Sequence, residues 1–202
     1  MRLAAVVLAA GKSSRMGKNK LLLEVAGRTV LDRLLDALDG STVDEVFVVL
    51  GHRPEELAHI VDSHRAETVM NPNYEDGMTS SFKTGLDRVN ADGAFLILGD
   101  QLGLQTKFLA LMADRMENDA DALIVSPVHD GKSGHPVLFR RALFAEILGL
   151  GPDKTVRDVV RRHEVAHVSV EGDIWCNLDM DTPKEFERIR RLFESHLSAG
   201  PR

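Results

Sequence analysis

An α/β fold of three layers, with helices on both sides of a mostly parallel, twisted sheet, is predicted by three features of the sequence. Short apolar runs rich in β-branched residues alternate with segments of helical period along the chain. The runs are apolar at consecutive positions, as strands covered on both faces are. A length of 202 residues suits one sizeable core and is short for two. Such alternation builds βαβ units, whose ligands gather outside the carboxyl ends of the strands.

The first strand is Leu3 to Leu8. A basic residue before an apolar run gives Met1 to Ala10 a superficial likeness to a signal peptide, but the run is too short to span a bilayer and Gly11 to Lys20 turns strongly basic. Val30, Leu31, Leu34, Leu35 and Leu38 form the apolar stripe of a helix. Val46 to Leu50 is the next strand, and Gly51-His52-Arg53-Pro54 marks the start of a second helix whose apolar face closes at Val61, because proline suits a first helical turn. Ala94 to Leu98 is a strand that runs into Gly99-Asp100-Gln101, placing a carboxylate at its carboxyl end. Phe108, Leu109, Leu111 and Met112 belong to another helical stripe, and Ala122 to Val125 is a further buried strand. Pro136 to Phe139 and Ala166 to Val170 read as additional strands, with antiparallel pairing open for both. Pro183 to Leu197 reads as a closing helix, so that one domain covers 1–197 and Ser198 to Arg202 forms a frayed tail.

Composition narrows the function. A formal net charge of −6 argues against broad nucleic-acid binding, which needs a basic surface to displace counterions. Cys176 is the only cysteine, so neither an internal disulfide nor a thiolate cluster can form within the chain, and a cytoplasmic location without membrane attachment is expected.

The basic character is local. From Leu8 to Lys20 the chain leaves a strand and enters a loop of small residues with four cations, Lys12, Arg15, Lys18 and Lys20. Gly11 and Gly17 allow backbone to approach phosphate oxygens, successive amides can form an anion nest, and the cations neutralise charge. Five residues separate the two glycines and Asn19 follows Lys18, so the nucleoside-triphosphatase loop is excluded; the three-glycine dinucleotide fingerprint is absent too. The bland alternative is a solvated basic turn. Gly99-Asp100-Gln101 offers a hard oxygen ligand for a divalent cation, unless Asp100 only caps a turn. In Asn177 to Pro183, Asp179 and Asp181 would face one side of an extended segment, and Asp181 or Thr182 can instead cap the helix after Pro183. Asn71 to Ser81 carries hydroxyls able to start a helix facing an anion, or simply to cap it. His135 in Gly134-His135-Pro136 is either a ligand contact or a turn residue, and Arg157 either a phosphate fork or a surface charge. Cys176 is expected to be buried, not nucleophilic.

The run from Leu8 to Lys20 resembles the signature L-A-A-G-x-S-x-R-M-G-x-x-K of the nucleotidyltransferases related to the molybdenum cofactor enzymes, with every fixed position matched. Gly99-Asp100-Gln101 is similar to that family's G-D-Q-P, with Leu102 where proline is usual. Asp179 to Pro183 resembles its D-x-D-T-P, Asn71 to Ser81 its N-P-x-(W/Y)-x-x-G-M-x-x-S, Gly134 to Pro136 its G-H-P, and Asp153 to Arg157 its D-x-G-A-R, with Thr155 in place of glycine. From Leu8 to about Phe186 the chain thus resembles the molybdenum cofactor cytidylyltransferase family, whose members have a Rossmann-like nucleotidyltransferase fold.

The resemblance implies transfer of CMP from CTP to the terminal phosphate of the molybdopterin cofactor, with release of pyrophosphate and with a molybdenum hydroxylase as a possible partner. Ala10, where guanylyl-transferring relatives commonly carry a second glycine, favours CTP. It also implies roles. Arg15, Lys20 and Asp100 are the expected catalytic residues. Leu8, Ala9, Ala10, Gly11, Ser13, Arg15, Gly17, Lys20, Gly77, Ser80 and Ser81 would bind the nucleotide, and Gln101, His135, Arg157 and Asp179 the acceptor. Asp100 and Asp181 would hold Mg2+, the expected cofactor. Alternatives kept open are transfer to a sugar phosphate or other phosphorylated alcohol, a nicotinamide or flavin oxidoreductase on the same scaffold, and a non-catalytic cofactor chaperone.

Overall fold

The computed structural model describes residues 1–198. Strands are β1 (Leu3–Leu8), β2 (Glu24–Val25), β3 (Arg28–Thr29), β4 (Glu45–Leu50), β5 (Glu67–Met70), β6 (Gly93–Leu98), β7 (Ile124–His129), β8 (Lys132–Ser133), β9 (Val137–Arg140) and β10 (His167–Glu171). Helices are α1 (Val30–Asp39), α2 (Ala58–Val61), α3 (Met78–Leu86), α4 (Thr106–Glu117), α5 (Phe144–Leu148), α6 (Val156–Arg162) and α7 (Pro183–Ser198). The main sheet runs β10-β7-β9-β6-β1-β4-β5, with β8 hairpinned onto β7, while β2 and β3 form a separate small ribbon. Pairing is parallel from β6 through β1 and β4 to β5, and again between β7 and β10; β9 is antiparallel to both β6 and β7. The mostly parallel sheet predicted from the alternation is therefore present.

Both faces of β1 are covered. Leu3, Ala5 and Val7 point into one apolar cluster, shared with Leu31 and Leu34 of α1, Val61 of α2, Met112 of α4 and Ile189 of α7. Ala4 and Val6 point into the other, shared with Phe82 of α3, Ile147 of α5 and Val159 of α6. Successive strand side chains alternate in direction, so a strand without polar positions needs a helical layer on each side.

Close approach of α3 to the sheet depends on Gly85, where an added Cβ would lie 2.4 Å from Val6 Cγ1 and 2.8 Å from Val49 Cγ2. Valine is stiff at χ1 and cannot swing aside. Gly85→Ala is therefore expected to destabilise the fold by about 1–3 kcal/mol in spite of alanine's better helix propensity, visible as a lower melting temperature.

Several local expectations are corrected. The strand at Ala166 to Val170 is parallel to β7, whereas Pro136 to Phe139 does pair antiparallel. Pro54 opens a 3₁₀ turn, Pro54–Glu56, and the helix proper is only Ala58–Val61. Leu111 is exposed, because it lies about 200° around the helix from Leu109, which is buried. Ser198 ends α7 and is not part of a tail; the rest of that segment, 199–202, lies outside the described residues. Among the described residues no helix is long and apolar enough to cross a membrane.

Candidate active site

The chain leaves β1 toward β4 and β5 on one side, then returns to place β6 on the other, so the sheet's topological switch lies at β1. Leu8 and Leu98 are register partners, and the Gly99 amide donates to the Leu8 carbonyl at 2.9 Å. The basic loop after β1 and the Asp100 turn after β6 thus depart from the same level at adjacent carboxyl ends. Glycine at 99 is required by that approach: a Cβ there would lie 2.8 Å from the Leu8 carbonyl oxygen.

Ala9 and Ala10 are buried at the strand end. Beyond Gly11, the loop turns sharply at Ser13 and at Gly17, both with positive φ, flanking a short 3₁₀ turn from Ser14 to Met16. Met16 and Leu21 anchor the turn in the core, and the Lys20 amide donates to Ser13 Oγ at 3.2 Å. The apolar anchors leave Lys12, Arg15 and Lys18 exposed, with Lys20 half-buried at the loop's end. Lys12 pairs with Glu75 and sits 5.8 Å from the centroid of the Tyr74 ring, which ties the loop to the segment before α3.

Four of the sequence-predicted residues meet in one ion-pair cluster. Lys20 Nζ contacts Asp100 Oδ2 and lies 2.8 Å from Asp181 Oδ1; Arg15 Nη2 lies 2.5 Å from Asp181 Oδ2. Burial works against the Lys20 ammonium, but the two carboxylates outweigh it and hold its pKa above the ordinary lysine value. The hydrogen bond from Lys20 holds Asp181 below the usual carboxylate range, against the effect of burial, with Arg15 adding to the shift. The Lys20–Asp181 pair is therefore charged on both sides near neutrality.

Asp181 is fixed by the start of α7. The Thr182 amide donates to Glu185 Oε2 at 2.9 Å, and the Glu185 amide donates to Thr182 Oγ1 at 3.3 Å, a reciprocal capping box. Capping and participation in the charged cluster thus coexist, with Thr182 as the cap and Asp181 beside Lys20. Asp179 is exposed and lies outside these ion pairs. Leu102, in place of the usual proline, is buried in the core, and Gly103, with φ of 89°, lies directly beneath the Trp175 indole. Thr155, in place of glycine, caps α6 reciprocally with Asp158. Both departures from the family pattern are thus absorbed by local packing or capping.

On the α3 side of the sheet an open groove of about 1230 Å³ is lined by Gly77, Ser80, His135 and Arg157 among others. Gly77 and Ser80 therefore stand with the residues expected to bind the acceptor. Ser81 is buried, accepting a hydrogen bond from Asn71 Nδ2 at 3.1 Å, and so serves the segment's internal scaffold. Gln101 is buried and donates to the His135 carbonyl, while its Oε1 and His135 Nδ1 have no protein partner. Burial lowers the His135 pKa, with the carbonyl of Leu96 and the charges of Asp100 and Asp179 opposing, so this ring is neutral at neutral pH. Cys176 is buried as expected, and burial pushes its thiol up to about 11, far from a nucleophilic thiolate.

Sequence reading missed Glu75 and Tyr74 as partners of Lys12, Trp175 as the lid over Gly103, and Ser126 and His167 in the groove. None lies within a phosphate-type motif; only the interruption of an apolar strand by Ser126 could have drawn attention.

A family model described as a MobA-like NTP transferase domain matches residues 5–168. The chain is 28% identical over 183 residues to the molybdenum cofactor cytidylyltransferase of Escherichia coli strain K12, covering 90% of this chain and 92% of that protein. It is 30% identical over 202 residues to the purine catabolism protein PucB of Bacillus subtilis strain 168, covering 94% and 96%. Among solved structures, Rv0371c of Mycobacterium tuberculosis H37Rv matches with a TM-score of 0.81 at 29% identity over 95% of this chain and 98% of that one. The same mycobacterial protein, in a structure described as a complex with manganese, matches with a TM-score of 0.75 at 28% identity, covering 95% and 99%. With the matched region spanning β1 to the start of β10, including the basic loop and Asp100, the chain belongs to the family of MobA-like NTP transferase domains.

Proposed function

We propose that this chain is a magnesium-dependent cytidylyltransferase that moves CMP from CTP onto the terminal phosphate of molybdopterin and releases pyrophosphate. The observation that carries this reading is the single cluster of Lys20, Arg15, Asp100 and Asp181 at the switch point, beside a groove large enough for an acceptor. The similarity to a cytidylyltransferase of E. coli supports it.

Magnesium fits the donor set. Asp100 and Asp181 both reach the Lys20 ammonium, so two hard carboxylate ligands converge on one cation position. Among the described residues no cluster of three or more His, Cys, Asp or Glu offers a complete metal site, which suits an ion completed by phosphate oxygens and water. A related mycobacterial protein described in complex with manganese fits the same oxygen-ligand chemistry. When bound, the ion would neutralise charge on the phosphate oxygens.

Transfer asks mainly for positioning. The amides around Gly11 and Gly17 cradle the triphosphate, and Arg15 and Lys20 exchange their carboxylate partners for phosphate oxygens as it arrives. The acceptor phosphate, steered by Arg157 and the His135–Gln101 corner, attacks the α-phosphorus in line, and charge developing on the departing pyrophosphate is met by Arg15 and Lys20. No protein nucleophile takes part.

Pyrophosphate release measured with each nucleoside triphosphate, with and without molybdopterin, tests the reading. CTP with molybdopterin should give the highest kcat/KM, and release only with a sugar phosphate as acceptor would overturn the assignment.

A further inference from the structure

Asp100 and Asp181 reach one cation position although they belong to elements remote in sequence, the turn after β6 and the segment before α7. The Lys20 ammonium links them. Once Lys20 turns to phosphate, as the proposed transfer requires, two carboxylates are left that repel each other, and their backbones must be held at a fixed separation by other means.

Trp175, the only tryptophan of the chain, stands where it can do this. It lies in the 3₁₀ turn Ile174–Asn177, six residues before Asp181, and is 5% exposed. Its indole covers Gly103, three residues after Asp100: a Cβ there would lie 2.4 Å from Trp175 Cδ2 and 2.7 Å from Cγ, and the positive φ of 89° turns the bare backbone against the ring. Phe193 and His196 of α7 meet the same indole nearly edge-on, with ring centroids 5.6 and 5.8 Å away. The ring is thus wedged between the turn that carries Asp100 and the helix that begins just after Asp181. Leu102 and Met180, close neighbours of the two carboxylates, are buried in the apolar cluster that includes Trp175.

Polar contacts fix the turn that carries the indole. Asp173 accepts from Gln105 Nε2 at 2.9 Å and from the Trp175 amide at 3.1 Å, which ties the start of the turn to the segment after Gly103. Asn177 Nδ2 donates to the carbonyls of His129 and Lys132, at 3.1 and 3.0 Å, which secures its end to the β7–β8 hairpin. Held at both ends, the turn gives the ring one orientation. Leucine would fill part of the volume, but a flat rigid ring is what lets bare backbone lie against it.

We infer that Trp175 is a positioning residue for the metal site, setting the separation of Asp100 and Asp181 by packing against the backbone that follows one and the helix that follows the other. The inference rests on the proposed transfer reading, which supplies the ion, and goes beyond it by assigning the geometry of the site to a side chain outside the ligand set.

Calorimetric titration of Mg2+ into the full chain saturated with α,β-methylene-CTP, an analogue that cannot release pyrophosphate, reads the site without turnover. Trp175→Leu should weaken Mg2+ binding about tenfold, the scale of groups that orient metal ligands from behind. Trp175→Phe should recover most of that loss, because a ring still covers Gly103. Ile147→Val, a core change in the apolar cluster on the other face of the sheet, serves as the stability control: it should lower the melting temperature and leave Mg2+ affinity unchanged. In steady-state turnover with CTP and molybdopterin, Trp175→Leu should need about tenfold more Mg2+ for half-saturation, with kcat at saturating Mg2+ close to that of the wild type. Amide hydrogen exchange of the ligand-free chain should be faster at both 100–105 and 178–181 in Trp175→Leu, and at neither in Ile147→Val. Mg2+ affinity equal in Trp175→Leu and the wild type, affinity lowered as much by Ile147→Val, or exchange quickened at neither segment would overturn the inference and leave the transfer reading in place. If the wild type itself binds no Mg2+ with the analogue, the two fall together.

Discussion

Lys20→Ala is expected to lower kcat/KM for CTP about a hundredfold or more, with the loss appearing in both kcat and KM. Lys20 is the link of the charged cluster, since its ammonium touches Asp100 and lies 2.8 Å from Asp181. Its side chain is 20% exposed, so the ammonium acts where water screens little and its charge counts for more than that of exposed Lys12 or Lys18. Lys18→Ala should therefore change the same kinetics only slightly. Lys20→Arg should recover part of the loss, because a forked guanidinium supplies the charge but not the compact ammonium that fits between two carboxylates. Steady-state kinetics with CTP varied at saturating acceptor measures all three. Equal kinetics for Lys20→Ala and the wild type would remove Lys20 from the phosphate cradle.

Asp100→Asn is expected to lower kcat on the order of a thousandfold while leaving the fold intact. The amide keeps the volume and an oxygen but lacks the charge that attracts a divalent cation, and several kcal/mol of transition-state stabilisation depend on that ion. Stability should change little, because Lys20 retains Asp181 as a partner and the Gly99 to Leu8 backbone bond does not involve the side chain. A magnesium titration of turnover should show half-saturation displaced to higher concentration, and circular dichroism melting should stay within a few degrees of the wild type. Turnover equal to that of the wild type would exclude Asp100 from the transfer step.

Much of the fold was legible because burial on both sides leaves a simple mark. Leu3 to Leu8 and Ala94 to Leu98 are apolar at every position, and both are central parallel strands. Short edge elements left no such mark: β5 reads Glu-Thr-Val-Met, with Val69 its one buried side chain, and was not foreseen as a strand. The direction of β10 was equally hidden, since pairing sense depends on how the chain returns to the sheet and not on side-chain pattern. At the site, Arg15, Lys20, Asp100 and Asp181 could each be singled out from local motifs, because phosphate and metal chemistry asks for specific residue types in small-residue loops.

By itself the sequence determined the layered α/β architecture, the basic glycine loop and the acid after β6, since periodicity and local chemistry are properties of neighbouring residues. Only the tertiary structure decided that Lys20 would bridge Asp100 and Asp181, 80 and 161 residues away, that Gly77 and Ser80 would stand with His135 in one groove, and that Ser126 would meet His167. Those contacts arise from strand order and register, which depend on packing the whole sheet between two helical layers and leave no signal within a short window of sequence.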